Sequence, residues 1–221
     1  MKFVCSSLTL SFLLFAFLTN LSPSFSFEDN GDDGRYIIAT NRIPIHPDGR
    51  YYIIPSFMGI RSGGIKLEKT GNSNCPVTVL EEDFTSERGL AVKFNIIGTS
   101  YDILTGSPIG IEFLNKPNCV ESSKWLIFVD NVIKKSCVGI GGPENYPGMK
   151  TLNGTFLIRN AGVTTYKFVF CENGSSTSCS DIRWYNNFEG GGRLSLTGQY
   201  VSYFVFVETY SYEDEIMKSI A

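Results

Sequence analysis

Apolar residues along this chain do not return at helical spacing. They fall into short runs broken by glycine, proline and asparagine, and several runs alternate with polar residues, as in Tyr166-Lys167-Phe168-Val169-Phe170 and Val201-Ser202-Tyr203-Phe204-Val205-Phe206-Val207. A period of two places successive side chains on opposite faces of a strand. The pattern predicts strands over 51–55, 65–67, 77–80, 91–96, 110–113, 125–129, 155–159, 166–170, 194–196 and 202–207. Beyond residue 26 no stretch holds a 3.6-residue period through three turns, so almost no helix is expected. Near the start, Gly49 and Arg50 lead into Tyr51-Tyr52-Ile53-Ile54-Pro55, and Gly59, Gly63 and Gly64 follow before Ile65; together they predict a first hairpin. Many short strands separated by turn residues mean an all-β sandwich or barrel, and the pattern alone does not choose between them. Tyr51, Trp125 and Tyr166 each head an apolar run, at spacings too unequal to establish a threefold repeat.

One apolar block stands apart. Residues 8–18 follow the positive Lys2, precede the small residues Ser24 and Ser26, and are too few to cross a bilayer. Residues 1–26 therefore read as a secretory leader, with 27–221 as a single domain large enough for one core. A secreted or vacuolar protein is expected. No later run approaches membrane-spanning length, so no membrane partner is expected. The chain carries 19 basic and 22 acidic side chains, net −3, and loses one more positive charge with Lys2. A mild negative balance without a basic block argues against nucleic acid as a partner.

Five of the six cysteines lie beyond the leader: Cys75, Cys119, Cys137, Cys171 and Cys179. In an oxidising compartment five thiols give two bridges and one free thiol, and spacing leaves several pairings open. Cys171 and Cys179 flank a turn-rich tip, which favours their pairing. By loop entropy that bridge contributes about 2.5 kcal/mol, and one between Cys75 and Cys119 about 4 kcal/mol. With no Cys-x-x-Cys pair and a single histidine, His46, neither a metal nor another cofactor is expected.

A series of short segments carries a family resemblance along most of the chain beyond the leader. It runs through residues 45–67, Asn74-Cys75-Pro76-Val77-Thr78-Val79, Ser107-Pro108-Ile109-Gly110-Ile111-Glu112-Phe113, Trp125, Val138-Gly139-Ile140-Gly141, Thr155-Phe156-Leu157-Ile158-Arg159, Tyr166-Lys167-Phe168-Val169-Phe170-Cys171 and Cys179-Ser180-Asp181-Ile182. In order and spacing these resemble the plant Kunitz inhibitors, the soybean trypsin inhibitor family. The resemblance implies a β-trefoil, a six-stranded barrel capped by three hairpins, with disulfides Cys75–Cys119 and Cys171–Cys179. Cys137 is then extra, a buried small apolar residue. The implied function is a monomeric peptidase inhibitor, not an enzyme, which presents a loop in substrate-like form to a target of serine type. Such a loop loses little conformational entropy on docking because the barrel already holds it.

Counted from Cys75 without a gap, the reactive bond of the family falls at Thr99–Ser100, within Ile96-Ile97-Gly98-Thr99-Ser100-Tyr101-Asp102. Inhibitors of trypsin carry arginine or lysine before that bond, and threonine leaves the acidic base of a trypsin-like pocket without a charge partner. Strong trypsin inhibition is not expected. The opening motif departs too: Ala39 stands where the family has aspartate, Arg42 where it has glycine, and Pro47 where an asparagine props the loop. Proline offers no side-chain amide and no N–H, so no brace is expected from position 47. Gly98 is expected to loosen the loop further.

Other residues read more plainly. His46 lies in a proline turn and is expected to be solvated rather than a catalytic base. Glu81, Glu82 and Asp83 form an acidic run, expected as a solvated loop, with no recognisable carboxylate pair for glycoside chemistry. Asn153-Gly154-Thr155 and Asn173-Gly174-Ser175 are glycosylation acceptor sequences that also suit hairpin turns. Beside inhibition, two alternatives stay open: a trefoil module that binds carbohydrate or protein, and a storage protein without inhibitory activity.

Overall fold

The computed structural model describes residues 33–56, 63–82, 87–174 and 178–209. The expected leader, the turn around Gly59, and Asp83 lie outside the described residues. Fifteen strands appear among them: β1 Tyr51–Pro55, β2 Ile65–Glu68, β3 Thr78–Glu81, β4 Ala91–Ile96, β5 Pro108–Phe113, β6 Trp125–Asp130, β7 Lys135–Ile140, β8 Thr151–Leu152, β9 Gly154–Asn160, β10 Tyr166–Glu172, β11 Cys179–Asp181, β12 Arg183–Asn186, β13 Gly192–Ser195, β14 Tyr200–Val201 and β15 Phe204–Glu208. The helical content of the described residues is one 3-10 turn, Pro143–Asn145.

Six of these strands close on themselves in the order β10-β15-β1-β4-β5-β9, with β9 pairing back to β10. Every neighbour is antiparallel, and closure leaves no barrel strand without partners on both edges. Alternation fills the interior: Ile53, Phe94, Ile111, Ile158, Phe168 and Phe206 each come from a different barrel strand and are fully buried. Their rings interlock, Phe94 edge-on to Phe206 with centroids 5.2 Å apart and Phe168 5.2 Å from Phe204. Such pairs add about 0.5–1.5 kcal/mol each beyond the area they bury.

The cap is built from three hairpins, β2–β3, β6–β7 and β12–β13. Their second strands, β3, β7 and β13, pair with one another around a centre. A six-stranded barrel with three hairpins converging over one end is the β-trefoil, and the described residues build one such core. The first hairpin expected from residues 49–65 does not form. β1 pairs with β15 and β4, whereas β2 pairs with β3. The closed barrel occupies both edges of β1, so the chain leaves for the cap before pairing again.

Cys171 and Cys179 face each other in the β10–β11 register and are bonded, with Cα atoms 4.0 Å apart. The second disulfide joins Cys75 to Cys119 with Cα atoms 6.1 Å apart. Cys137 is a free thiol buried in β7. Beside it Arg193 of β13 is 1% exposed and fully engaged: Nη1 donates to Asp130 at 2.7 Å, and Nε and Nη2 donate to Glu189 at 2.6 and 2.8 Å.

The opposite end of the barrel, where β4 turns to β5 and β9 to β10, is crossed by a strap, residues 34–45. Its buried Ile37, Ala39 and Ile45 close the core from that side. Ile38 N–H donates to Tyr166 Oη at 2.8 Å, and Thr40 N–H to the Phe206 carbonyl at 2.8 Å. Arg42 turns the strap with φ 66°, a left-handed conformation that favours glycine, the residue the resemblance places there.

Candidate functional site

The loop 97–107 leaves paired strands and returns to them, since Ile96 faces Ile109 and Ile97 N–H donates to the Pro108 carbonyl at 3.3 Å. Thr99 and Ser100 lie exposed in its first half, between half-exposed Ile97 and Tyr101, which is 92% exposed. Gly98 has φ 122°, and nothing lies within 4 Å of where a Cβ would stand. A side chain there would be strained by the backbone rather than by crowding. The backbone bends at Gly98–Thr99 and again at Tyr101–Asp102. The second bend is held from within: Ser100 Oγ donates to the Asp102 carbonyl at 2.9 Å and accepts from Asp102 N–H at 3.2 Å.

Past this bend the chain is anchored. Ile103 is buried in the core. Leu104 forms an isolated bridge with Tyr36 of the strap, and Tyr36 Oη donates to Asp102 Oδ2 at 3.4 Å. Thr105, 2% exposed, makes three bonds to the strap: its carbonyl accepts from Gly34 N–H at 2.8 Å, its N–H donates to the Arg35 carbonyl at 2.9 Å, and its Oγ1 accepts from Arg35 N–H at 3.1 Å. Gly106 N–H then donates to the Ile158 carbonyl at 2.9 Å, tying the loop to β9.

Pro47 sits apart from this network. It lies in the tight turn where Gly49 N–H donates to the His46 carbonyl, and among the described residues no hydrogen bond joins 46–49 to 97–101. Tyr51 Oη accepts from His46 N–H at 3.1 Å and occupies the space where a Cβ on Gly49 would fall, 2.1 Å away. The turn is thus fitted to Tyr51 and the barrel. Residue reasoning missed the strap contacts, and the only available signal was the apolar stretch Tyr36-Ile37-Ile38-Ala39 ahead of the first predicted strand.

The remaining candidates are dispersed. His46 Nε2 stands 4.0 Å from Glu208 on a half-exposed side chain. Glu81, expected in a solvated run, is buried at the end of β3, because β2 and β13 flank that strand on both sides and carry its last residue into the sheet. Glu82 is paired with Lys66 at 3.5 Å. Asn153 is exposed, and its carbonyl accepts from Asn173 N–H at 2.8 Å, so the two acceptor asparagines adjoin. Asn173 takes φ 54° at the turn after β10, and Ser175 of its acceptor sequence lies outside the described residues.

Around Arg193, burial pushes Asp130 and Glu189 up, but hydrogen bonds from the guanidinium outweigh it and leave both carboxyls below their ordinary range. Burial pushes the Cys137 thiol up to about 11, the nearby Arg193 offsetting only part of it. That thiol stays protonated at neutral pH and is a poor nucleophile. Among the described residues no cluster of three His, Cys, Asp or Glu side chains could hold a metal ion.

Thr99–Ser100 thus lies exposed on a loop whose descending leg is anchored through residues 103–106. The family profile described as trypsin and protease inhibitor matches residues 38–208. The Kunitz-type trypsin inhibitor-like 2 protein of Pisum sativum is 50% identical over 217 residues, covering 97% of this chain and 98% of the relative. Subtilisin inhibitor CLSI-II of Canavalia lineata is 47% identical over 176 residues, 78% of this chain and 92% of its own. The crystal structure of a Kunitz type trypsin inhibitor from Cicer arietinum superposes with a TM-score of 0.75 at 52% identity, covering 80% of this chain and 99% of that one. Sequence agrees along nearly the whole length of these relatives and the fold along that of the solved structure, and the chain belongs to the Kunitz legume family of protease inhibitors.

Proposed function

We propose that this chain is a secreted inhibitor of a serine peptidase with a shallow apolar primary pocket, of the subtilisin or elastase type, and that Thr99–Ser100 is the bond it presents. The observation that carries the reading is the position of that bond, exposed on a loop whose descending leg is tied to the strap, the core and β9. An anchored loop loses little entropy when a peptidase closes on it. A small β-branched side chain at Thr99 fits a shallow pocket, and in a trypsin-like pocket it leaves a buried carboxylate without a partner. The Canavalia relative, named a subtilisin inhibitor, supports the same pocket class. Two disulfides accord with an oxidising compartment, and so with the secreted or vacuolar address.

The test is to titrate purified 27–221 against subtilisin, pancreatic elastase and trypsin, and to locate by mass spectrometry any bond cut during long incubation. Tight inhibition of one of the first two, with slow cleavage at Thr99–Ser100, is the expected result. Cleavage confined to another bond would move the reactive site. Absence of inhibition across the panel would remove the function.

A further inference from the structure

We propose that Thr105 is a positioning residue for the reactive bond: by fastening the descending leg of the loop to the strap, it keeps the amine released from Ser100 in place to re-form the bond. This rests on the reading that a serine peptidase acts at Thr99–Ser100. Attack by the serine oxygen of the peptidase on the Thr99 carbonyl breaks the bond to Ser100 nitrogen. The serine proton passes through the histidine of the peptidase to that nitrogen, leaving an ester at Thr99 and a free amine on Ser100. In a substrate the amine departs and water completes hydrolysis. In an inhibitor the amine attacks the ester, the proton returns by the same route, and the peptidase serine is freed.

The outcome is decided by how far Ser100 travels, so the brace that counts lies on its side of the bond. The structure is asymmetric in this sense. Upstream, the last tie is the single bond from Ile97 N–H to the Pro108 carbonyl at 3.3 Å, and among the described residues no hydrogen bond joins Gly98 or Thr99 to the rest of the protein. Downstream, Ser100 and Asp102 lock together, Ile103 is buried, Leu104 bridges Tyr36 and Thr105 makes three bonds to Gly34 and Arg35. Two of those three bonds use the Thr105 backbone and survive substitution. The third needs the hydroxyl, which places a side-chain requirement at 105 that valine, equal in shape, does not meet. The strap thereby does what a proline at position 47 does not.

The experiment compares the parent with Thr105→Val and Thr105→Ser. Subtilisin and elastase are used at catalytic concentration, with the rate of Thr99–Ser100 hydrolysis followed by mass spectrometry and unfolding measured in urea. Thr105→Val is expected to be cut about tenfold faster and to inhibit only temporarily, whereas Thr105→Ser, which retains the hydroxyl, behaves as the parent. A merely structural role would lower the unfolding midpoint of Thr105→Val without changing the rate of hydrolysis, and that result overturns the inference. Equal rates for the valine and serine variants overturn it as well. If Thr105→Val does not fold, removal of residues 27–36 withdraws Gly34, Arg35 and Tyr36 while leaving Ile37, Ala39 and Ile45 in the core, and the same comparison of rates decides. A parent that inhibits neither peptidase overturns the functional reading and this inference together. An inhibitory parent with an indistinguishable valine variant overturns this inference alone.

Discussion

A threonine at position 99 offers a peptidase pocket neither charge nor length, and the loop around it is exposed on both sides. Thr99→Arg should therefore change the target rather than the fold. Restoring the charge partner that a trypsin-like pocket requires is expected to tighten trypsin inhibition about 100-fold and weaken elastase inhibition, as read from inhibition constants against both. Unchanged trypsin inhibition would mean that residue 99 does not enter the primary pocket. The single-residue environment with most at stake for stability is Arg193. Removing one partner of a buried ion pair leaves the other charge without compensation, so Arg193→Met is expected to cost about 3 kcal/mol in urea unfolding. Because Asp130 and Glu189 titrate below their ordinary values in the folded state, the unfolded chain binds more protons as pH falls through that window. Their stabilising contribution is full at neutral pH and disappears on acidification below about pH 4. Asp130→Asn should flatten that part of the stability profile, and a variant as acid-sensitive as the parent would show that other carboxylates set it. Cys137 sits in the same cluster, its thiol pushed up to about 11 by burial, so in protein prepared as residues 27–221 an alkylating reagent at neutral pH should label it only after unfolding, and should label no other cysteine unless the disulfides are reduced.

At the level of elements, legibility followed burial on one face. The ten predicted strands all overlap observed strands: several write a period of two into the sequence because one face is buried, and β3 and β13, buried at every position, show instead as short stretches rich in apolar residues between turn residues. Five strands were left out, none with such alternation: β7 is buried through its last four positions, β8 and β14 have two residues each, β12 is half-buried at every position, and β11 is the short polar partner of β10. Pairing was less visible than strand position: β1 finds β15 at the other end of the chain, and no local turn chemistry announces that contact. The site divides in the same way. Position 99 could be counted from Cys75, whereas the hold on the loop depends on atoms of residues 34–36 meeting residues 104–105, a distance in sequence that no short pattern spans. Glu81 shows the reverse error, an acidic residue read as solvated that the sheet buries. Elements also predict which staple matters more. The short β10–β11 bridge spans a register that the strands already fix, so Cys171→Ser with Cys179→Ser should cost about 2.5 kcal/mol, less than the roughly 4 kcal/mol expected for opening the longer bridge by the same pair of changes. Equal losses in urea unfolding would show that native contacts rather than loop length set the values.

At the scale of the whole molecule, the barrel and its cap share one core, and unfolding is expected to be a single cooperative transition by far-UV circular dichroism and by tryptophan fluorescence. Trp125 heads the cap strand β6 yet is 7% exposed among the barrel residues Phe113, Phe156 and Phe168, whereas Trp184 stacks on Tyr200 within the cap, so noncoincident transitions would reveal separate melting of the two layers. The bridge between Cys75 and Cys119 has a further meaning at this scale, because residue 99 lies between the two cysteines. The stretch they enclose is a ring, and hydrolysis at Thr99–Ser100 opens a ring instead of dividing the molecule. The two new ends remain parts of one covalent object, additionally paired through β4 and β5 on either side of the cut. Rejoining them is then a closure within one molecule, whose cost grows only with the logarithm of ring size, and does not depend on protein concentration. Nicked protein should thus weigh one water more than the parent and run as a single species until it is reduced, when two fragments appear. Dilution should leave the ratio of nicked to intact protein unchanged.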